Sequence, residues 1–175
     1  MKTTMQTMIT ATGMFTLATG CIGTCFVAGA RVWTKKGLRP IEDIQVGEQV
    51  WSWDLERNAP VLREVTALIR GENQQTYRLR SGEFQIDGVT GEHPFWNPLR
   101  GEWVNVKDMQ VGDGVLCWPG AHEARCLPVE ELELEEHASE VPVYTLSMGG
   151  KEENFFAEGI LVHNKTLLPP QPDTG

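Results

Sequence analysis

Residues 43–50 and 108–115 of this 175-residue chain repeat one another, and the repeat limits the folds that the chain can adopt. The first stretch reads DIQVGEQV and the second DMQVGDGV, at a constant offset of 65 residues, and Trp53 corresponds to Trp118 at the same offset. A single repetition is too little for a solenoid, which stacks several copies. It predicts two related halves packed about a pseudo-two-fold axis, with chance similarity between two turn-and-strand segments as the alternative.

Short segments of alternating polarity cover the middle of the chain, and turn residues separate most of them. Eighteen Gly and ten Pro favour many turns over long helices. We therefore predict an all-β domain, a sandwich or barrel-like fold with very little helix. Two brief helical turns are expected at 41–44 and 106–109. The predicted strands are 30–34, 49–54, 64–70, 76–80, 84–90, 114–118, 129–134, 141–148 and 160–163.

The two ends of the chain differ from its middle. Residues 1–24 begin with Lys2, continue through a mildly apolar stretch and reach small residues before Cys21, as in a bacterial lipoprotein signal. On that interpretation Cys21 is lipidated and anchors an exported or envelope protein to a membrane; a polar, disordered tail of a cytoplasmic protein is the alternative. Residues 165–175 contain three Pro and are expected to be extended. One domain at 25–164 remains between these ends.

Charge and cysteine spacing exclude several classes of function. The chain has 15 Lys and Arg against 24 Asp and Glu, a formal charge of -9, so we expect no nucleic-acid partner. No two cysteines have the C-x2-C spacing of a structural zinc site. Cys117 and Cys126 are expected either to be buried as small apolar side chains or, in an exported protein, to form a disulfide.

Cys25 begins the predicted domain, and its sulfur can reach the carbonyl of Thr24. A thiolate is a strong nucleophile, and its attack there would convert the amide into a thioester. Thr90 and His93 end a predicted strand; His suits proton delivery to the leaving nitrogen, and a hydroxyl can hold the peptide. Taken singly, a structural Cys and a hydrogen-bonded His at a strand end are the more common explanations of these residues.

His163 and Asn164 end the domain just before the Pro-rich tail. The side-chain nitrogen of an Asn can attack its own backbone carbonyl, close a succinimide and cleave the peptide bond that follows. The preceding His can polarise that carbonyl or assist proton transfer. The alternative is an ordinary strand end, where Asn commonly begins a turn.

Together these residues resemble a Hint domain, the fold of inteins, bacterial intein-like modules and hedgehog autoprocessing domains. The resemblance covers 25–164 and rests on the Cys-Phe-x-Ala-Gly start, the block TKKGLRPIEDIQVGEQV, Thr90-x-x-His93-Pro94-Phe95 and the closing NFFAEGILVHN. It implies a horseshoe-like all-β fold of two pseudo-two-fold halves, closest to the minimal inteins. It also implies self-processing, with Cys25 as first nucleophile and Asn164 driving cleavage at the other edge.

The resemblance implies further roles and partners. Thr90 and His93 would assist the first step and His163 the last. The substrates would be the chain's own flanking segments, with water or a small thiol as the resolving nucleophile. We expect no cofactor and no metal, because nucleophile, proton donor and leaving group come from one chain, and we expect a monomer.

Three positions depart from the intein pattern. Lys165 follows Asn164, where inteins usually have Cys, Ser or Thr, so cleavage is expected rather than ligation of the flanks. Thr145 stands where many inteins have an acid, and Glu153 where a His often precedes the Asn-Phe pair.

These departures motivate a different hypothesis, an inert Hint-fold lipoprotein or binding domain that has lost its chemistry. A metal site formed by Cys25, His93 and His163 is a third hypothesis, which requires the two ends of the domain to meet.

Overall fold

Residues 23–164 are described in a computed structural model of the chain. The predicted all-β class is confirmed, since strands dominate and the only helical elements within this range are the 3₁₀ turns Ile41–Asp43 and Val106–Asp108. The predicted lipidation site at Cys21 and the tail at 165–175 lie outside the described residues. The strands are β1 (Phe26–Val27), β2 (Arg31–Thr34), β3 (Gly37–Pro40), β4 (Gln49–Asp54), β5 (Ala59–Ser81), β6 (Phe84–Val89), β7 (Pro94–Asn97), β8 (Glu102–Asn105), β9 (Gly114–Cys117), β10 (Arg125–Pro128), β11 (Glu131–Met148), β12 (Asn154–Ala157) and β13 (Ile160–His163).

The strands form one continuous antiparallel arrangement in the order β10-β9-β13-β12-β2-β4-β5-β11-β1-β6. β5 also pairs with β6, so that β5, β11, β1 and β6 close on themselves. β3 lies beside β2, and β7 joins β13 to β8. The first strand of the domain, β1, and the last, β13, therefore both lie inside the arrangement, with neighbours on both sides.

The internal repeat in the sequence corresponds to a repeated structural unit. The amide of Gly47 donates to the carbonyl of Val65 at 2.8 Å, and 65 residues later the amide of Gly112 donates to the carbonyl of Val129 at 2.8 Å. The 3₁₀ turns that precede the two glycines have the same offset. Both glycines have positive φ, +90° and +96°, which a residue with a Cβ adopts at a cost. The prediction of two related halves is thus confirmed.

β5 and β11 are longer than the sequence predicts. Each was predicted as two short strands, but they pair along most of their length as a two-stranded arm. The polar residues 71–75 resemble a turn in the sequence, yet all of them except residue 74 pair with β11, so no turn is needed. A register irregularity between Glu136 and Val141 takes up the extra residues of β11. β1, β3, β7, β8, β10 and β12 were not predicted, and with two to four residues each they offer little pattern to detect.

Two apolar clusters hold the domain together. The larger one gathers buried side chains from both halves, including Phe26, Ile86 and Phe155. The smaller one is aromatic, with Trp53, Trp118 and other residues on β9, β12 and β13. Burial of apolar surface on this scale is the main stabilising contribution to such a fold. No helix within residues 23–164 has the length and apolar character to cross a membrane.

A buried amide fastens the last hairpin to the rest of the fold. The side chain of Asn154, 3% exposed, accepts from the Trp53 amide at 2.8 Å and from Ser52 Oγ at 2.9 Å. Its Nδ2 donates to the Trp53 carbonyl at 3.0 Å. These bonds fix β12, and with it β13, against β4, and nothing in the sequence marked Asn154 for this role.

Cys117 and Cys126 are both free, so the expected disulfide is wrong for this structure, and the expected burial is confirmed for Cys117 but wrong for Cys126, which is exposed. Cys117 is buried, and burial raises the pKa of its thiol to about 12. The residue opposite Cys117 on β10 is Arg125, whereas Cys126 lies opposite Leu116. Since successive residues on a strand face opposite sides of a sheet, this register sends the two sulfurs to different faces.

Candidate active site

Cys25 and Thr90 meet at the amino-terminal edge because β1 pairs with β6, with Phe26 opposite Val89. The Cys25 amide donates to Thr90 Oγ1 at 2.8 Å, and the Thr90 amide donates to the Cys25 carbonyl at 2.9 Å. The same hydroxyl donates to the carbonyl of Gly23 at 2.8 Å. Thr90 is 1% exposed. It therefore holds the peptide groups on both sides of the Thr24–Cys25 bond.

The sulfur of Cys25 is not a thiol in this structure. Cys25 is fully buried and disulfide-bonded, whereas the other two described cysteines are free. The nucleophile of any thiol chemistry is the thiolate. Cys25 can act in that way only after a reductant has opened its disulfide.

His93 lies between β6 and β7 and is fully buried against the rings of Phe26 and Phe95, at centroid distances of 4.4 and 6.1 Å. Its Nε2 lies 2.9 Å from the carbonyl oxygen of His163. A carbonyl only accepts, so Nε2 carries the proton and Nδ1 of the neutral ring has a lone pair. Within residues 23–164, Nδ1 has no hydrogen-bond partner.

Burial lowers the pKa of His93 to about 3, from an ordinary value of 6.5. Desolvation is the largest cause, because the apolar surroundings disfavour the charged imidazolium. The hydrogen bond to the backbone of His163 acts in the opposite direction, and the backbone of Thr24 also raises the pKa by a smaller amount. The ring is therefore neutral at physiological pH, and it lies beside the peptide that precedes Cys25.

The carboxyl-terminal edge is positioned by the hairpin of β12 and β13. Its two-residue turn, Glu158-Gly159, has φ of +48° and +79°, the pattern of a type I′ turn. This turn sets the register in which Asn154 lies opposite His163. The same register continues one residue beyond the ends of the two strands, where the Asn164 amide donates to the Glu153 carbonyl at 2.9 Å.

His163 contacts the carbonyl of the residue that follows it. Its Nδ1 lies 2.6 Å from the Asn164 carbonyl oxygen, which accepts the Nδ1 proton. Its ring packs edge-on against Trp103 at 4.9 Å, and its Nε2 is 3.7 Å from a carboxylate oxygen of Glu153. These contacts fix the orientation of the imidazole against the Asn164 carbonyl.

The carboxamide of Asn164 is buried, with 4% of the residue exposed. Its orientation follows from its neighbours. Nδ2 donates to the Glu153 carbonyl at 2.8 Å, and Oδ1 accepts from the Met148 amide at 3.3 Å. These two bonds fix the orientation of the side chain, while the backbone carbonyl of the same residue accepts from His163.

The structure brings the five residues singled out in the sequence into one chain of contacts. Cys25 contacts Thr90, whose carbonyl accepts from the His93 amide at 3.0 Å. His93 contacts the backbone of His163, which in turn contacts Asn164. The chemical roles of these five residues remain predictions, but all five lie together in one largely buried site.

Thr145 is a fully buried residue on β11. Its Oγ1 has no hydrogen-bond partner in the described part of the chain. The departure from the intein pattern therefore leaves an unpaired hydroxyl, not a charge, in the interior.

The hypothetical metal site does not form. Among residues 23–164 no three His, Cys, Asp or Glu side chains are placed to hold a metal ion. The Nε2 of His93 is engaged by a backbone carbonyl, and the sulfur of Cys25 is bonded in a disulfide. Neither atom is available as a ligand in this arrangement.

Comparison with known proteins agrees with this architecture. The family model for the pretoxin Hint domain matches residues 31–165. The solution structure of a bacterial intein-like domain from Clostridium thermocellum is 30% identical, with a TM-score of 0.72 over 80% of this chain and 98% of that one. No curated protein matches this chain.

Two inteins of low identity share the fold. A DnaB intein from Synechocystis sp. PCC 6803 is 13% identical, with a TM-score of 0.70 over 82% of this chain and 99% of its own. The TvoVMA intein is 21% identical, with a TM-score of 0.71 over 82% of this chain and 99% of its own. This chain thus belongs to the pretoxin Hint domain family and has the Hint fold of the inteins.

Proposed function

We propose that this domain cleaves its own chain at both edges, by an N–S acyl shift at Cys25 and by cyclisation of Asn164. The observation that carries the proposal is the hydrogen bond between His93 and the His163 carbonyl, because it joins the two edges in one buried site. The similarity to inteins and to a bacterial intein-like domain supports self-processing in general. The assignment of steps to residues is our own.

At the amino-terminal edge, the sulfur of Cys25 attacks the carbonyl carbon of Thr24. A carbon–sulfur bond forms, the carbon–nitrogen bond between the two residues breaks, and the thiol proton ends on the new amine of Cys25. Water or a small thiol then attacks the thioester and frees residues 1–24. Thr90 keeps the reacting peptide in place through its hydrogen bond from the Cys25 amide.

His93 serves as the proton carrier of this step. A buried imidazole with a pKa of about 3 is neutral at pH 7. The ring lies against the backbone of Thr24, and among the described residues its Nδ1 has no hydrogen bond of normal geometry. Nδ1 takes the proton from the thiol and returns it to the leaving nitrogen of Cys25. The low pKa makes the protonated ring a strong proton donor to that leaving nitrogen.

The acyl shift requires a reductant. Because Cys25 is disulfide-bonded, a thiol must first reduce that bond and release the Cys25 sulfur as a thiol. Cyclisation of Asn164 needs no thiol. The two cleavages should therefore differ in their dependence on reductant.

At the carboxyl-terminal edge, Asn164 Nδ2 attacks the backbone carbonyl carbon of the same residue. The bond to Lys165 breaks, the proton lost from Nδ2 passes to the nitrogen of Lys165, and Asn164 becomes a succinimide. His163 Nδ1 donates to the oxygen on which negative charge develops, an oxyanion contact of the kind that enzymes use in acyl transfer. Without a hydroxyl or thiol at Lys165, the products stay separate. The family name refers to pretoxins, and this cleavage separates the domain from whatever follows it.

Intact mass spectrometry of the full chain, with and without dithiothreitol, tests the proposal. Wild type should lose residues 165–175 in both conditions and residues 1–24 only with reductant. Cys25→Ala should abolish only the cleavage at the amino-terminal edge. Asn164→Ala should abolish only the cleavage after residue 164. Cys126→Ala, at an exposed free thiol, is the matched control and should behave as wild type.

An unchanged wild-type mass after prolonged incubation with reductant, in a chain whose circular dichroism shows a folded β protein, contradicts the proposal. That outcome supports the inert Hint-fold domain.

A further inference from the structure

The ring of His163 has an acceptor opposite each of its two nitrogens. Nδ1 lies 2.6 Å from the Asn164 carbonyl oxygen, and Nε2 lies 3.7 Å from a carboxylate oxygen of Glu153. A carbonyl oxygen and an ionised carboxylate both accept, so a neutral ring with one proton can satisfy only one of them. The form that satisfies both is the imidazolium, which has a proton on each nitrogen.

Glu153 contacts the reacting groups in two separate ways. Its backbone carbonyl accepts from the Asn164 amide at 2.9 Å and from Nδ2 of the same residue at 2.8 Å. Its side chain is 47% exposed and places the carboxylate beside His163. A side-chain substitution of Glu153 therefore leaves the contacts of the attacking nitrogen in place and changes the charge that His163 faces.

The other charged groups around His163 have partners of their own. The remaining carboxylates of the cavity beside His163 pair with basic side chains, Asp54 with Arg57, Glu56 with Lys151 and Glu152 with Arg63. Trp103 of β8, which packs edge-on against the ring at 4.9 Å, has no charge. His93, which contacts the His163 backbone, is neutral above its pKa of about 3. Glu153 is thus the carboxylate that acts on the His163 ring.

We propose that Glu153 is a positioning residue for the cleavage after Asn164: its carboxylate keeps His163 directed at the scissile carbonyl and favours a second proton on Nε2. The inference rests on the proposed cleavage. A charged donor forms a stronger hydrogen bond than a neutral one, so the imidazolium stabilises the developing oxyanion better. Glu153 stands where many inteins have a His, and on this inference it supports the chemistry instead of marking its loss.

The test is the rate of cleavage after Asn164, followed by intact mass in the full chain without reductant at two pH values. Glu153→Gln keeps the size of the side chain and removes its charge. At pH 7.5, where an ordinary imidazole is mostly neutral, the variant should cleave about two- to fivefold more slowly than wild type, the range that an exposed ion pair provides. At pH 5.5, where an ordinary imidazole is mostly protonated without help, the two rates should differ by less than about 1.5-fold.

Glu56→Gln is the matched control. It removes another carboxylate of the same cavity, one that is 80% exposed and paired with Lys151, and it should cleave at the wild-type rate at both pH values. Urea unfolding of each chain at both pH values shows whether either substitution has changed the stability of the domain.

The failure of this inference differs from the failure of the proposed function. A ratio of wild-type to Glu153→Gln rates that is the same at both pH values overturns the role of Glu153 and leaves the cleavage intact, because a purely structural effect does not follow the protonation of an imidazole. Equal effects of Glu56→Gln and Glu153→Gln overturn it too, since the general charge of the cavity would then be the cause. No cleavage in any chain, wild type included, overturns the cleavage itself and this inference with it.

Discussion

Acidification should destabilise this domain through His93, by an amount that follows from its burial. The pKa of His93 is about 3 in the folded chain and about 6.5 when the side chain is exposed on unfolding. Between these values the unfolded chain binds a proton that the folded chain does not. The stability that the neutral ring provides is therefore complete above pH 6.5 and is lost as the pH falls towards 3.

The size of this loss is set by 1.36 kcal/mol for each pH unit. At pH 4.5, two units below the unfolded pKa, His93 should lower the free energy of unfolding by about 3 kcal/mol. Below pH 3 the loss should level off at about 5 kcal/mol. Losses of this size are a large part of the total stability of a domain.

The assay is urea unfolding of the full chain at pH 7.5 and 4.5, without reductant, with the mass checked before and after. His93→Gln should be less stable than wild type at pH 7.5, because it loses the contact with the His163 backbone. The difference in the free energy of unfolding between wild type and His93→Gln should be smaller by about 3 kcal/mol at pH 4.5 than at pH 7.5. His122→Gln, at an exposed histidine, is the control and should leave the pH dependence unchanged.

A gap that stays constant between the two pH values would refute the reasoning, since His93 would then protonate as readily in the folded chain as in the unfolded one. Should His93→Gln not fold, the proton NMR titration of the wild-type His93 ring decides the same point. We expect no titration of this ring between pH 7.5 and 4.5.

Three further predictions concern the fold around the site. Asn154→Ala removes the buried hydrogen bonds that fasten the last hairpin to β4. It should lower the free energy of unfolding, measured with urea, by about 2–4 kcal/mol. A change smaller than the error of that method would contradict this prediction. Gly159→Ala combines a φ of +79° with a Cβ 2.6 Å from an aromatic ring of β6, and should cost about 3 kcal/mol in thermal or urea unfolding. Gly101→Ala, at φ +66° in open space, should cost only about 1 kcal/mol, and equal effects would argue against the close contact. Iodoacetamide without reductant should label the exposed Cys126 in the folded chain but Cys117 only after unfolding, as read from peptide masses, and rapid labelling of both would contradict the burial described here.

The architecture was largely predictable from local patterns. The segments 49–54 and 160–163 show enough alternation to define β4 and β13 with the bounds that the structure has. The repeat at 43–50 and 108–115 encodes a repeated backbone turn, and the two 3₁₀ turns lie where the sequence indicated them. Short-range preferences determine such elements, so a single sequence is sufficient to find them.

Strand pairing and register were harder to predict from the sequence. The long arm of β5 and β11 looked like four separate strands, because residues 71–75 are polar and resemble a turn until a partner strand satisfies their backbone. Whether Cys117 and Cys126 can form a disulfide likewise depends on register. Cys117 lies opposite Arg125 and Cys126 opposite Leu116, so the two sulfurs are on different faces of the sheet. No local pattern contains that information.

Residue types at the edges of the domain were determined by the sequence alone: a Cys at one end, a His-Asn pair at the other, and a Thr and a His between them. Only the tertiary structure decided that His93 contacts the backbone of a residue 70 positions away and that its ring is excluded from water. It also decided that Cys25 is held in a disulfide and that Glu152 has one oxygen without a donor among the described residues. Burial determines the protonation state of His93, and long-range contacts bring the two edges of the domain together. Both arise only when strands that are distant in the sequence pair with one another.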